Sequence, residues 1–479
     1  MKSLVLSSAF LCATFSGLLA EEEFRVFTNT QGRQVKAKLV SLSGDVATIQ
    51  MENGQRFPLK LETLSPADQE YIRKNGSSTS GADKLTPEEI NAVAGQQVFA
   101  QAPLWDSKAD EVAQRLGLQP ESKTKLQSSF RSYPNESFKL FGARPFSAAM
   151  YAAEDKPTGI SLVYANKGDL FGAKGSGEMH FDRDEVPKEA LEMLAKAMTA
   201  DVEAITKTLS AKLGEPSKMR FGEGAGRETV QRWDWRGHAI LLKEVEAEYV
   251  GLEIVTTAFA DKGGAADKTS ETVIRDRVLA NLEKRENGDV VIGDLPMVDQ
   301  GPKGYCAPAT VERAMRHLGL TADMYVLANA GGTKLGGGTS MRALFEGVGR
   351  YIRRKGRKFD EWNGEMKIKE LAKFIDRGVP VIWGLSSTDE FNDTANKRTE
   401  QRKSVTNWAE WKTKVEAEAA ASGLRPDDES AHVVLIIGYN KDTNEIAFSD
   451  SWGERYKERW ISIPEAEKVS QKSFYLVNF

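Results

Sequence analysis

The chain opens with an apolar run, Leu4 to Leu19, set between Met1-Lys2 and a boundary of Ala20 followed by three glutamates, Glu21 to Glu23. A basic start, an apolar middle and a small residue before a polar stretch predict a secretory signal peptide cut after Ala20. From Phe24 to Ile49 apolar and polar residues alternate, with glycine turns at Gly32 and Gly44, and Asn53-Gly54 marks a tight hairpin before Phe57. This period of two predicts a small all-β module over residues 22–75. Ser65-Pro66 then opens a short helix, Ala67 to Lys74, with Ser65 as its cap and Pro66 in its first turn.

Residues 76–84 (GSSTSGADK) have the composition of a flexible linker. Residues 85–260 mix strand-like runs (Phe146 to Ala153, Ile160 to Ala165, Ala239 to Thr257) with one long helix. In that helix Leu191, Leu194, Met198, Val202, Ile205 and Leu209 recur three or four apart, and Gly214 with Pro216 ends it. The middle region is therefore an α+β domain, and its pattern assigns it no role. Its Arg232-Trp233-Asp234-Trp235 cluster precedes a glycine turn and suits hairpin packing better than ligand stacking. A second linker spans 261–270, and a polar helix follows to about Glu286. Within the last segment, residues 287–479, the glycine-rich stretch 331–340 lacks the lysine placement of a phosphate-binding loop. The polar, helical insertion from Ser387 to Glu429 is expected to be a solvated decoration.

Composition narrows the function classes. The chain has 479 residues, room for several domains, with 65 Lys and Arg against 69 Asp and Glu and a net charge of −4. That balance gives no electrostatic grip on nucleic acid, which is excluded as an expected partner. The predicted signal implies export, to the periplasm or beyond, and no apolar run after it is long enough to span a bilayer.

Cysteine usage is more informative. The two cysteines are Cys12, inside the signal, and Cys306, so processing leaves one thiol. It cannot form an internal disulfide; it is a buried hydrophobe, an intermolecular bridge or a reactive nucleophile. There is no CxxC or HExxH, and the four histidines are far apart in sequence, so neither a metal nor an organic cofactor is expected.

Cys306 ends a turn-rich stretch, Pro296 to Tyr305, and Pro308 suits the first turn of a helix with Val311, Ala314, Met315 and Leu318 on its apolar face. A cysteine at a helix N-terminus meets unpaired N–H groups that favour thiolate over thiol. Gln300, six positions earlier, can add a side-chain N–H to the Cys306 backbone N–H, giving two donors for an oxyanion. Far downstream, His432 opens an apolar strand-like run to Tyr439, and a second strand, Glu445 to Asp450, leads into Ser451-Trp452-Gly453. A hairpin pairing Tyr439 with Glu445 puts Asp450 opposite Val434 and diagonal to His432, about 7–8 Å apart on one face. A shift of one residue would turn Asp450 away unless a bulge intervened.

Two resemblances follow from these residues. QGPKGYCAPAT, HVVLIIGY and FSDSWG are similar to motifs of the papain-fold cysteine peptidases, most of all the relatives of the bacteriocin-processing double-glycine peptidases, across residues 287–479. The resemblance implies Cys306 as nucleophile, His432 as general base and acid, Asp450 as orienter and Gln300 as oxyanion donor. Papain would have Asn at the Asp450 position and Trp after the cysteine; Asp450 and Ala307 favour the double-glycine branch. Trp452 would shield the His432–Asp450 bond. Such relatives cut after glycine pairs, which makes Gly263-Gly264 a candidate self-processing site. Residues 22–75 resemble the first homology region of the yeast adaptor Sla, an SH3-like barrel, which implies a protein or cell-envelope ligand for that module.

The expectation is an exported, multidomain α+β protein: signal peptide, small SH3-like β-barrel, α+β middle domain and C-terminal papain-like domain that cleaves a peptide or protein substrate through an acyl-enzyme. Acyl transfer to an amine, as in transglutaminases and amidases, uses the same side chains. A catalytically silent binding protein is the alternative outside the enzymes.

Overall fold

The alternation after residue 24 becomes four antiparallel strands, Arg25–Thr28, Gln34–Ser43, Val46–Met51 and Arg56–Lys60, paired in chain order. This is a computed structural model, and it describes residues 24–43, 46–52, 56–75, 84–173, 179–181, 189–266, 269–335, 338–427 and 429–479. The expected signal peptide, the Asn53-Gly54 turn and nearly all of the first linker lie outside the described residues. The sheet encloses Phe27, Ala37, Ala47 and Ile49 with Leu61, Leu64 and Ile72 from the segment that follows. The helix Pro66–Asn75 begins where the sequence predicts, and Ser65 Oγ accepts from the Asp68 N–H. Met1–Ser78 is one compact unit and Thr79–Phe479 a second.

The second unit contains two large sheets. The first is antiparallel with eight strands in the order Ser217–Phe221, Glu228–Trp235, His238–Val245, Tyr249–Thr256, Lys156–Asn166, Ser147–Ala153, Gln127–Ser132 and Gln119–Lys123. The predicted helix is Ala190–Leu213; it buries Leu194, Met198, Ile205 and Leu209 and ends at Gly214, whose φ of +79° suits glycine. Leu191, expected on that stripe, is 53% exposed. Trp233 and Trp235 are buried, and the turn between them and His238 uses Arg236 and Gly237, both at positive φ, as a two-residue hairpin requires.

The polar helix expected to reach Glu286 is Glu271–Ala280. It stops early because Leu282–Lys284 pairs with Asp289–Ile292 and becomes the edge of the second sheet. That sheet continues through Ala431–Asn440, Val381–Ser386, Ser470–Asn478 and Lys358–Glu361, with Glu445–Ser449 and Arg459–Ser462 branching from Ala431–Asn440. Strands buried on both faces read as apolar runs, as Ala431–Asn440 does. The helix Cys306–His317 packs on this sheet through Ala307, Val311, Ala314 and Met315. The two sheet regions also share a buried cluster, in which Val163, Val245 and Tyr249 of the first meet Val298, Tyr305 and Ala309 ahead of and within that helix. Among the described residues no helix is long and apolar enough to cross a membrane.

Candidate active site

Cys306 is the first residue of its helix, and Pro308 lies in the first turn, where its missing N–H leaves no intrahelical bond unmade. The sulfur is hydrogen bonded to His432 and to the backbone N–H groups of Ala307 and Val433. His432 turns its Nε2 to Asp450 Oδ1 at 2.9 Å, which leaves Nδ1 for the sulfur. Three side chains from a helix start, a central strand and a strand end thus form one chain of contacts, all drawn from the four residues that the sequence singles out.

The hairpin register has one difference from expectation. Asn440, not Tyr439, pairs with Glu445, which by itself would face Asp450 the wrong way. An extra residue, Ile437, bulges between Ile436 and Gly438 and restores the pairing Leu435 with Ser449, so Asp450 comes beside Val434 on the face of His432.

Each group titrates abnormally for a stated reason. Burial pushes the Cys306 thiol up, but the His432 hydrogen bond and charge and the two backbone donors prevail and hold it below its ordinary value. Burial pushes His432 down, but its bonds to Asp450 and Cys306 raise it to about 9. Burial likewise pushes Asp450 up, and His432 with the Arg459 guanidinium brings it below the usual carboxylate range. The three directions agree in that each favours the charged form of its group: thiolate, imidazolium and carboxylate. Trp452 stacks on the His432 ring, centroids 4.5 Å apart at 27°, and covers that side of the pair.

Gln300 is buried at 8% exposure in the loop before the helix. Its Nε2 donates to Lys303 O at 2.9 Å, which leaves the second amide hydrogen free, and its backbone N–H donates to Ser451 O at 2.9 Å. The latter bond ties the loop to the residue after Asp450.

The site also uses residues that sequence reasoning missed. Arg459 binds Asp450 Oδ2 through Nε at 3.0 Å and Nη2 at 2.6 Å, and its Nη1 donates to Asn392 Oδ1 at 2.9 Å. Arg313, on the buried face of the Cys306 helix, donates to Asp450 O at 2.7 Å, and Thr310 Oγ1 donates to Val433 O at 2.9 Å. Both stitch the cysteine helix to the His/Asp hairpin. A charged residue opening the short, fully buried strand Arg459–Ser462 is the one local signal that could have found Arg459.

The insertion from Ser387 is not a loose decoration. Its helix Asp389–Arg402 buries Phe391, Ala395, Arg398 and Arg402, and its Asn392 and Asn396 face Arg459. The Gly263-Gly264 pair, expected in a flexible linker, lies in a packed turn. Both glycines have positive φ, Gly263 O accepts from Gly222 N–H at 2.9 Å, and a Cβ on Gly264 would lie 2.7 Å from Phe221.

Cys306, His432 and Asp450, far apart in sequence, are thus brought together on an α+β fold. Residues 292–477 match the model of the Peptidase_C39 like family, which supports a cysteine peptidase of the papain-like type over that part of the chain. Among solved structures, the chain is similar to the peptidase domain of Streptococcus ComA, a bi-functional ABC transporter involved in a quorum sensing pathway. The identity is 13%, over 38% of this chain and 96% of that one, with a TM-score of 0.25. No curated protein matches the chain.

Proposed function

We propose that the protein is an exported cysteine peptidase that cleaves peptide bonds through Cys306. The observation that carries this reading is the single imidazole of His432, bonded to the Cys306 sulfur on one side and to Asp450 on the other. The thiolate attacks the scissile carbonyl carbon; the oxyanion is held by the Cys306 N–H and the free amide hydrogen of Gln300. His432 then gives its proton to the leaving amine, forming a thioester that water, deprotonated by the same ring, hydrolyses. Asp450 keeps the ring oriented and favours its charged form. Export is supported by the apolar start of the chain and by the lone thiol left after its removal. The N-terminal unit is read as an SH3-like barrel that tethers the enzyme to a protein or cell-envelope ligand; its four-stranded meander with a closing helix supports this.

The test is turnover of unstructured protein or a peptide library by the purified chain, with Cys306→Ala alongside. Cleavage by the wild type that the variant lacks is expected. Equal cleavage by both would remove Cys306 from the chemistry.

A further inference from the structure

The region 85–260 has no function in the reading above, yet it grips the backbone around Gln300. Tyr133 Oη donates to Asp299 O at 2.5 Å, Glu121 Oε1 accepts from Asp299 N–H at 2.9 Å, and Ser122 Oγ accepts from Met297 N–H at 3.0 Å. Lys303 is the centre of the contact. Its side chain is 0% exposed, and Nζ lies 3.0 Å from Asp169 Oδ1, 2.9 Å from Gln300 O and 4.2 Å from the centre of the Tyr133 ring. Asp169 is itself fixed: Tyr325 Oη donates to its Oδ2 at 3.0 Å, and its N–H donates to Asn166 Oδ1 at 2.8 Å.

The loop is built to receive these groups. Gly301, at φ +65°, has the Tyr133 ring where a Cβ would stand, 2.5 Å away, and Gly168 has the Tyr305 ring 2.4 Å from its own Cβ position. Apolar packing alone could join two domains. Here the N–H and C=O of Asp299 and the C=O of Gln300 are each met by a side chain that the middle region supplies or neutralises. A buried ammonium is tolerated only with such a partner, so Asp169 sets where Lys303, and with it the Gln300 carbonyl, can be, while Tyr133 fixes the Asp299 carbonyl before it.

We propose that Asp169 and Tyr133 are positioning residues for the Gln300 oxyanion donor, which makes the middle region part of the peptidase apparatus. The proposal rests on the peptidase reading above. Oxyanion donors act only when placed to within a fraction of an ångström, and a second layer of contacts provides that placement. Asp169→Asn removes the counter-charge of Lys303; Tyr133→Phe keeps the ring and removes only the bond to Asp299 O.

The experiment compares peptide turnover with alkylation of Cys306 by iodoacetamide in the full chain. Alkylation needs the thiolate but develops no oxyanion. Each variant is expected to lose about tenfold or more in kcat, up to the roughly 10²–10³ that removing an oxyanion donor outright costs, with KM and alkylation within about twofold of wild type. Neither variant should add to the loss in Gln300→Ala. Unchanged kcat, or equal losses of turnover and alkylation, overturns the proposal. Amide hydrogen exchange in a Cys306→Ala background separates it from the peptidase reading. Asp169→Asn should speed exchange at Asp299 and Tyr305 and not within 431–440, and unchanged exchange sinks the positioning role whatever the chain cleaves. A wild-type chain that turns over no acyl substrate sinks the peptidase reading instead, and the catalytic role of Asp169 with it.

Discussion

Arg459 takes the oxygen of Asp450 that His432 leaves free, so the buried carboxylate is shared between an imidazole and a guanidinium. The arginine is itself held by Asn392 and Asn396 of the inserted helix. Removing it as Arg459→Met leaves a fully buried anion with one partner. Breaking such a pair costs about 3–5 kcal/mol, which urea denaturation would read directly. Turnover should fall by about tenfold or more as the carboxylate loses its fixed orientation. A variant with wild-type stability and rate would show that His432 alone fixes Asp450.

The pH dependence follows from the two opposed shifts at the site. Raising pH through the depressed Cys306 value forms the thiolate; raising it through about 9 removes the His432 proton that the leaving amine needs. Peptide turnover is therefore bell-shaped with its descending limb near pH 9, and iodoacetamide alkylates Cys306 well below the ordinary thiol range. Asp450→Asn weakens the bond that raises His432, so the descending limb moves to lower pH. A limb that stays in place in a profile of kcat against pH would mean that Asp450 does not set it.

Glu312, buried on the Cys306 helix, titrates at about 8, because burial outweighs the pull of Arg316. The unfolded chain gives up this proton in the ordinary glutamate range, so stability declines as pH rises from there to about 8. Glu312→Gln should melt at a higher temperature than wild type at pH 8.5 and at nearly the same temperature at pH 4. Equal melting at both would place the charge in water.

The glycine pair supplies a negative prediction. A peptidase cleft takes its substrate extended, whereas Gly263 and Gly264 are held in a left-handed turn against Phe221. The intact mass of purified wild type should match that of Cys306→Ala, with no break after Gly264. A cut there that only the wild type shows would mean that this turn opens.

Much of the site was legible because its chemistry is local. Pro308 two residues past Cys306 announces a helix start, and the apolar run after His432 announces a buried strand. The long helix at 190–213 was legible from its spacing alone. The missed groups, Arg459, Asp169 and Tyr133, act across the chain: Tyr133 reaches Asp299 over 166 positions, and no periodicity encodes such a pairing. The insertion was misjudged for a related reason. Arg398 and Arg402 look like solvent-facing charges, but they are buried against Glu465, Asp289 and Glu445. The hairpin register differs by one residue because Ile437 bulges just before Gly438, and a glycine inside a strand is the local signal that could have shown it.

The cluster in which Val163, Val245 and Tyr249 meet Val298, Tyr305 and Ala309 has a consequence for how the molecule melts. Residues from two sheets that share buried apolar area lose it together, so Thr79–Phe479 should give a single calorimetric transition rather than one for each sheet. A fragment starting at residue 292 would present its half of that cluster to water and should aggregate when expressed alone.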